Sequence, residues 1–235
     1  MPGTKVWRVG MALPIARGMS DAATRLQRVH AEIARAAKLA RRDPALVTLV
    51  AVSKRRSASE IEALIVAGQR DFGESRVQES QDKWPALRAA HPEVRLHMIG
   101  QLQSNKAAEA AALFDVIHSL DRRSLLDALA VAPHHPPTYV QVNIGEEEQK
   151  GGIAPSELGD FLTAVRATPI PLAGLMAIPP QGLEPGPFFA FLGELARRHD
   201  VGGLSMGMSS DYPTAITLGA TVIRVGTALF EDQAP

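Results

Sequence analysis

Short apolar runs alternate with amphipathic stretches along most of the chain. "SDAATRLQRVHAEIARAAKLARRD" sets Leu26, Val29, Ile33, Ala36, Ala37 and Ala40 on one face at helical spacing, with Ser20 where an N-cap belongs. "VTLVAVSK" (47–54) then carries apolar residues at successive positions, as a strand covered on both faces does. Ser57 and Glu60 form a Ser-x-x-Glu capping box. Ile61, Leu64 and Ile65 continue a helical face, and Gly68 ends it. Further strand patterns fall at 69–73, 94–99, 115–119, 138–144, 172–178, 202–206 and 221–225. Helical patterns lie at 104–113, 122–131, 155–166, 187–198 and 211–219. Strands alternating with helices predict parallel βαβ units. In 235 residues the natural closure is a single (β/α)8 TIM-type barrel, although a doubly wound open sheet shares the same periodicity. Residues 19–235 read as the barrel domain, and 1–18 as an unstructured extension with Met11 and Met19 as candidate starts.

Composition narrows the classes. Hydrophobic residues make up 46% and charged residues 21%, an ordinary soluble globular balance. Lys+Arg and Asp+Glu are both 25, which argues against a general nucleic-acid or anionic-membrane binder. The absence of cysteine excludes disulfides, thiolate metal sites and cysteine nucleophiles, and suits a reducing cytoplasm. No apolar run approaches the ~18 residues of a membrane span. The histidines show no metal-type pairing with a carboxylate on a helix face, and His97 and His118 fall within strand patterns, as core residues would. No Walker A loop, dinucleotide fingerprint or G-x-S-x-G elbow is present.

Barrels of this type carry their chemistry at the C-terminal ends of the strands, often with a phosphate held by the loops after strands seven and eight. Those loops are "SMGMSSD" (205–211), with Gly207, Ser209 and Ser210, and "VGT" (225–227), with Gly226 and Thr227. Small hydroxyl-bearing loops suit a phosphate, and they also suit plain turn and cap chemistry. Lys54 leaves the first strand, and an amine there can form a Schiff base with a carbonyl ligand. Arg55 and Arg56 would disfavour its ammonium form; a solvated basic cluster is the other reading. A carbonyl and a phosphate on one ligand point to pyridoxal phosphate or to a phosphosugar aldolase substrate. Arg224 lies inside the last strand pattern, where a buried guanidinium needs a partner. It could face a pyridine nitrogen, which it would keep unprotonated because arginine only donates. That arrangement suits a carrier or a racemase better than a transaminase. A salt bridge at the barrel rim is the alternative.

With "LVAVSK", "FGESRVQE", "HMIGQLQSNK", "VIHSLDR", "VQVNIGEEEQKGG", "GLMAIPP", "LSMGMSSDY" and "IRVGTALF" in this order, the chain from about residue 20 to 231 resembles the YggS/PROSC family of pyridoxal phosphate homeostasis proteins. The family looks like the N-terminal barrel domain of alanine racemase standing alone. The resemblance implies pyridoxal 5′-phosphate held as a Schiff base on Lys54, its phosphate around Ser209, Ser210, Gly226 and Thr227, and its pyridine nitrogen near Arg224. Ser75 stands where the family usually has an asparagine near the cofactor, and Glu146 where it often has an arginine. The function the resemblance implies is storage, delivery or buffering of the cofactor without established turnover; a cytoplasmic monomer is expected besides, since an enclosed single-barrel carrier needs no partner surface, with cofactor-dependent apo-enzymes as recipients. The alternatives are a racemase or other cofactor-dependent enzyme, and the aldolase. A two-base racemase needs a second base, and Tyr139 and Tyr212 are the only tyrosines.

Overall fold

Ser20 accepts a hydrogen bond from the Ala23 N–H at 3.3 Å and starts α1 (Asp21–Leu39). The capping box at Ser57 and Glu60 starts α2 (Ala58–Val66), and Gly68 turns the chain out of it at φ 110°. In both places the local sequence signal and the element coincide. The computed structural model describes residues 20–231, so the extension assigned to 1–18 and the start candidates Met11 and Met19 lie outside the described residues.

Eight strands follow one another around a closed barrel: β1 (Thr48–Val52), β2 (Asp71–Glu74), β3 (Arg95–Met98), β4 (Val116–Leu120), β5 (Thr138–Gln141), β6 (Leu172–Met176), β7 (Leu204–Ser205) and β8 (Val222–Val225). Every neighbouring pair is parallel. The seam is made by β8 against β1, in register from Thr48↔Val222 to Ala51↔Val225. This closure answers the alternative of an open sheet, because no strand keeps a free edge. The remaining helices are α3 (Val77–Ala90), α4 (Ala107–Leu113), α5 (Arg123–Ala130), α6 (Leu158–Arg166), α7 (Pro185–Arg198), α8 (Tyr212–Thr217) and α9 (Thr227–Phe230).

Two apolar layers result from the strand alternation. Leu49, Ala51, Ile223 and Val225 face outward into the layer shared with the helices. Val50, Tyr139, Met176 and Val222 pack together inside the barrel. Each fully buried Leu, Ile, Val or Phe contributes about 1.5–3 kcal/mol over exposure. Across the seam, α1 packs on α8 and α9. Arg42 donates to the Ile216 and Ala220 carbonyls at 2.7 and 3.0 Å, and Arg25 to the Leu229 carbonyl at 2.9 Å.

One element departs from the sequence pattern, which assigns no helix between the second and third strands. There α3 runs through Pro85. A proline inside a helix removes a backbone donor, and the inward face is Val77, Ser80, Trp84 and Leu87, with a serine among the apolar positions. Ser80 donates to the Arg76 carbonyl at 2.8 Å and so tolerates burial. The 104–113 pattern is also split, into a 3-10 turn at Ser104–Lys106 followed by α4.

Candidate functional site

Lys54 sits just beyond the C-terminal end of β1. Val50 points into the barrel, and a Cβ on Gly226 would lie 3.4 Å from Val52 Cβ. Lys54 follows in the turn that leaves this C-terminal rim, two residues after β1 ends, and is exposed. Its neighbours on both sides are tied down. The Ser53 N–H donates to the Gly73 carbonyl at 2.9 Å, and the Ser53 hydroxyl to Glu74 Oε1 at 2.8 Å. Arg55 takes the left-handed region at φ 62°, and its N–H donates to Glu79 Oε1 at 2.7 Å. The Arg56 guanidinium pairs with Glu60 and Glu231 and lies over the Phe230 ring. Of the basic cluster read in the sequence, Arg56 is therefore already committed to carboxylates.

Glu74, fully buried at the end of β2, joins this turn to α3. Its Oε1 accepts from Lys83 Nζ at 2.7 Å, the Ser53 hydroxyl at 2.8 Å and Trp84 Nε1 at 3.0 Å. Lys83 also donates to the Ser53 carbonyl at 3.0 Å. The backbone next to Lys54 thus hangs on a buried ion pair.

The loops after β7 and β8 meet directly, since the Gly226 N–H donates to Ser209 Oγ at 3.2 Å. Ser210 and Thr227 are exposed at the same rim. Gly207 fixes the start of the first loop. It sits at φ 93°, its carbonyl accepts from the Arg224 N–H at 2.9 Å, and a Cβ there would come within 2.6 Å of Ala215 Cβ. Gly207→Ala is expected to cost about 1–3 kcal/mol in backbone strain alone, with the clash in addition. Urea unfolding checks the loss, and an unchanged midpoint would show that the loop accepts a side chain.

Arg224 lies between these loops and the barrel interior, 4% exposed. Its Nη1 donates to Ser205 Oγ at 2.6 Å and its Nη2 to the Ala177 carbonyl at 3.2 Å. Burial lowers its pKa to about 10, against a smaller opposing effect of Asp211. Among the described residues no carboxylate pairs with it, so the rim salt bridge raised as an alternative is not what forms. β8 stands between β7 and β1, which makes Arg224, the Ser209–Gly226 contact and the Lys54 turn neighbours around the rim. Ser75, after β2, lines a cleft of about 480 Å³ with Gln101, Gln103 and Lys106. Ser210 lines another of about 560 Å³ with Lys150, Pro180 and Asp211.

Sequence reasoning missed Glu74, Lys83, Ser205 and Asp71. His97 and His118, read as core residues, are buried and hydrogen-bonded to one another at 3.0 Å. The available signal was a polar residue at alternate positions of otherwise apolar strands. The tyrosines are both committed elsewhere. Tyr139 stacks on His118 at 4.6 Å with 12° between the ring planes, and burial raises its hydroxyl pKa against a hydrogen bond with Thr221. Tyr212 is buried, its pKa raised by burial and by Glu32.

No protein-family model matches the chain. A pyridoxal phosphate homeostasis protein of Pseudomonas aeruginosa is 42% identical over 222 residues, spanning 90% of this chain and 96% of that protein. The structure of PipY from Synechococcus elongatus PCC7942, solved with PLP bound, is similar with a TM-score of 0.77 at 37% identity, over 89% of this chain and 100% of that one. The biosynthetic alanine racemase of Pseudomonas aeruginosa is similar in fold, with a TM-score of 0.67 at 15% identity over 90% of this chain and 58% of its own.

Proposed function

The chain belongs to the pyridoxal phosphate homeostasis protein family, and on that premise we propose that it binds pyridoxal 5′-phosphate as a carrier, through a Schiff base on Lys54. When bound, the cofactor supplies an aldehyde that condenses with an amine and an electron-withdrawing ring. The observation that carries this reading is the convergence on one rim of Lys54, the Ser209–Gly226 contact and a buried arginine without a carboxylate. These residues fit the group. Ser209, Ser210, Gly226 and Thr227 offer hydroxyl and amide donors for a phosphate, and Arg224 offers donors for a ring nitrogen. Ser75 borders the same rim and would contribute one hydroxyl toward the lysine side.

The protein acts without turnover in this reading. A racemase must hold a second base on the face opposite the lysine, and neither tyrosine is free for that work. The role is intracellular: a cytoplasmic monomer that holds the cofactor and passes it to apo-enzymes. Among the described residues no helix is long and apolar enough to cross a membrane.

The test is the absorption spectrum of the purified protein with pyridoxal phosphate, followed by borohydride reduction and mapping of the modified lysine. A band at the edge of the visible and one adduct, on Lys54, are expected. A colourless protein, or adducts scattered over Lys38, Lys83 and Lys106, would reject the proposal and bring the aldolase forward. Incubation with alanine in heavy water should leave its α-proton unexchanged; rapid exchange would restore the racemase.

A further inference from the structure

A line of buried polar side chains crosses the barrel interior beneath Arg224. Ser205 Oγ lies 2.6 Å from Arg224 Nη1 and 2.8 Å from His118 Nδ1. His118 Nε2 lies 3.0 Å from His97 Nδ1, and His97 Nε2 lies 2.8 Å from Asp71 Oδ1. Asp71 also pairs with Arg95 at 2.8 Å. Ser205, His118 and His97 are buried on β7, β4 and β3. Nothing in the cofactor reading above requires any of them.

We propose that Ser205, His118, His97 and Asp71 form a one-directional hydrogen-bond chain that holds Arg224 as a fixed donor and supplies its counter-charge from a distance. The protein's own chemistry fixes the direction. Arg224 can only donate, so Ser205 Oγ accepts from it. Ser205 is fully buried, and its own proton then has one partner, His118 Nδ1. His118 must carry its proton on Nε2 and give it to His97 Nδ1. His97 in turn carries its proton on Nε2 and donates to Asp71.

The opposite direction fails on two counts. It would make His118 Nδ1 a donor to Ser205, which would leave the buried serine proton without an acceptor. It would also need an imidazolium at His97, a second buried cation beside Arg224, with one carboxylate already shared with Arg95. Deep burial independently keeps His118 neutral, well below its usual titration range, with the Arg224 charge adding to the effect.

A proton wire is a different use of the same atoms, and the terminal residue excludes it. A wire must pass a proton on at its end, and a guanidinium that only donates to Ser205 cannot take one up. The chain therefore positions and polarises: His118, Ser205 and Asp71 are positioning residues, and Arg224 is the group that would touch the ligand. This part rests on the cofactor reading, whereas the direction of the chain does not.

The experiment has two arms. Long-range proton–nitrogen correlation spectra of the apo-protein read both imidazole tautomers without any cofactor. Both rings are expected as neutral Nε2–H forms at neutral pH; an Nδ1–H form or a protonated ring at either position overturns the chain. The second arm uses Asp71→Asn, which keeps an acceptor oxygen for His97 and removes the charge. In the loaded protein it should move the pH midpoint of the visible-edge band down, by roughly one unit or less as befits a single charge acting across the barrel interior, with Asp211, which acts on Arg224, and Arg95, which pairs with position 71, left in place. A folded variant with an unchanged midpoint overturns the counter-charge role, since a merely structural residue would shift the melting temperature and not the midpoint. A wild-type protein that takes up no cofactor overturns Arg224's ligand role together with the proposed function, and the tautomers still decide the chain.

Discussion

Lys83→Met lowers the stability of the protein by about 3–5 kcal/mol, measured by chemical denaturation. The methionine fills the space of the lysine stem, so the loss is electrostatic. Glu74 is fully buried, and its Oε1 rests on three donors, of which Lys83 at 2.7 Å carries the compensating charge. Removing that charge leaves a carboxylate in the layer between the barrel and α3, where desolvation is no longer offset. The double variant Glu74→Leu/Lys83→Met should recover much of the loss, because removing both charges abolishes the penalty and leaves neutral groups, the Ser53 and Trp84 donors and the Ser53 carbonyl, to lose a partner. A single-variant loss below about 1 kcal/mol would mean that water reaches Glu74 and the pair behaves as an exposed one. Folded Lys83→Met protein should also take up less pyridoxal phosphate, because the Ser53 carbonyl loses its Lys83 donor one residue before Lys54.

How much of this was legible before folding follows from the range of each interaction. The barrel was readable because its signals are local: Ser57 and Glu60 cap α2, Gly68 ends it, and apolar runs mark the strands. Lys54, Ser209, Ser210, Arg224, Gly226 and Thr227 could be named because barrel chemistry gathers at strand exits, a rule of position. Ser75 could be named only through the family resemblance. What escaped depends on partners far apart in sequence. Glu74 reads as an ordinary charge until α3 brings Lys83 and Trp84 against it, and α3 itself was hidden by Pro85 and by the buried Ser80. Ser205 and His118 are 87 positions apart and meet only when the barrel closes. The expected choice for Arg224, ring nitrogen or rim salt bridge, could not be made from strand periodicity, because the decisive fact is which side chains fill the interior below it.

Lys54→Ala removes every borohydride-fixable adduct and leaves a folded protein that still binds the cofactor weakly. Stability should hardly change, because Lys54 is exposed and its side chain makes no hydrogen bond among the described residues. The neighbouring turn is held by Ser53 and Arg55 through backbone and side-chain bonds that do not involve the lysine. Binding should fall by on the order of a hundredfold, about 2.7 kcal/mol, as the covalent link is lost. The remaining affinity is expected from the loops proposed to hold the phosphate, where hydrogen bonds to a charged group contribute about 1.5–3 kcal/mol each. Two or three of them suffice for binding in the millimolar to micromolar range. Equilibrium dialysis with pyridoxal phosphate measures the first quantity, and competition by inorganic phosphate tests its source. If Lys54→Ala binds as tightly as the unaltered protein, the lysine is not the anchor. If it binds weakly but phosphate does not compete, the loops at Ser209 and Gly226 do not hold the anion. Weak, phosphate-sensitive binding is what a carrier built on this rim requires, since a cofactor held by one reversible bond and a few hydrogen bonds can be given up to another protein.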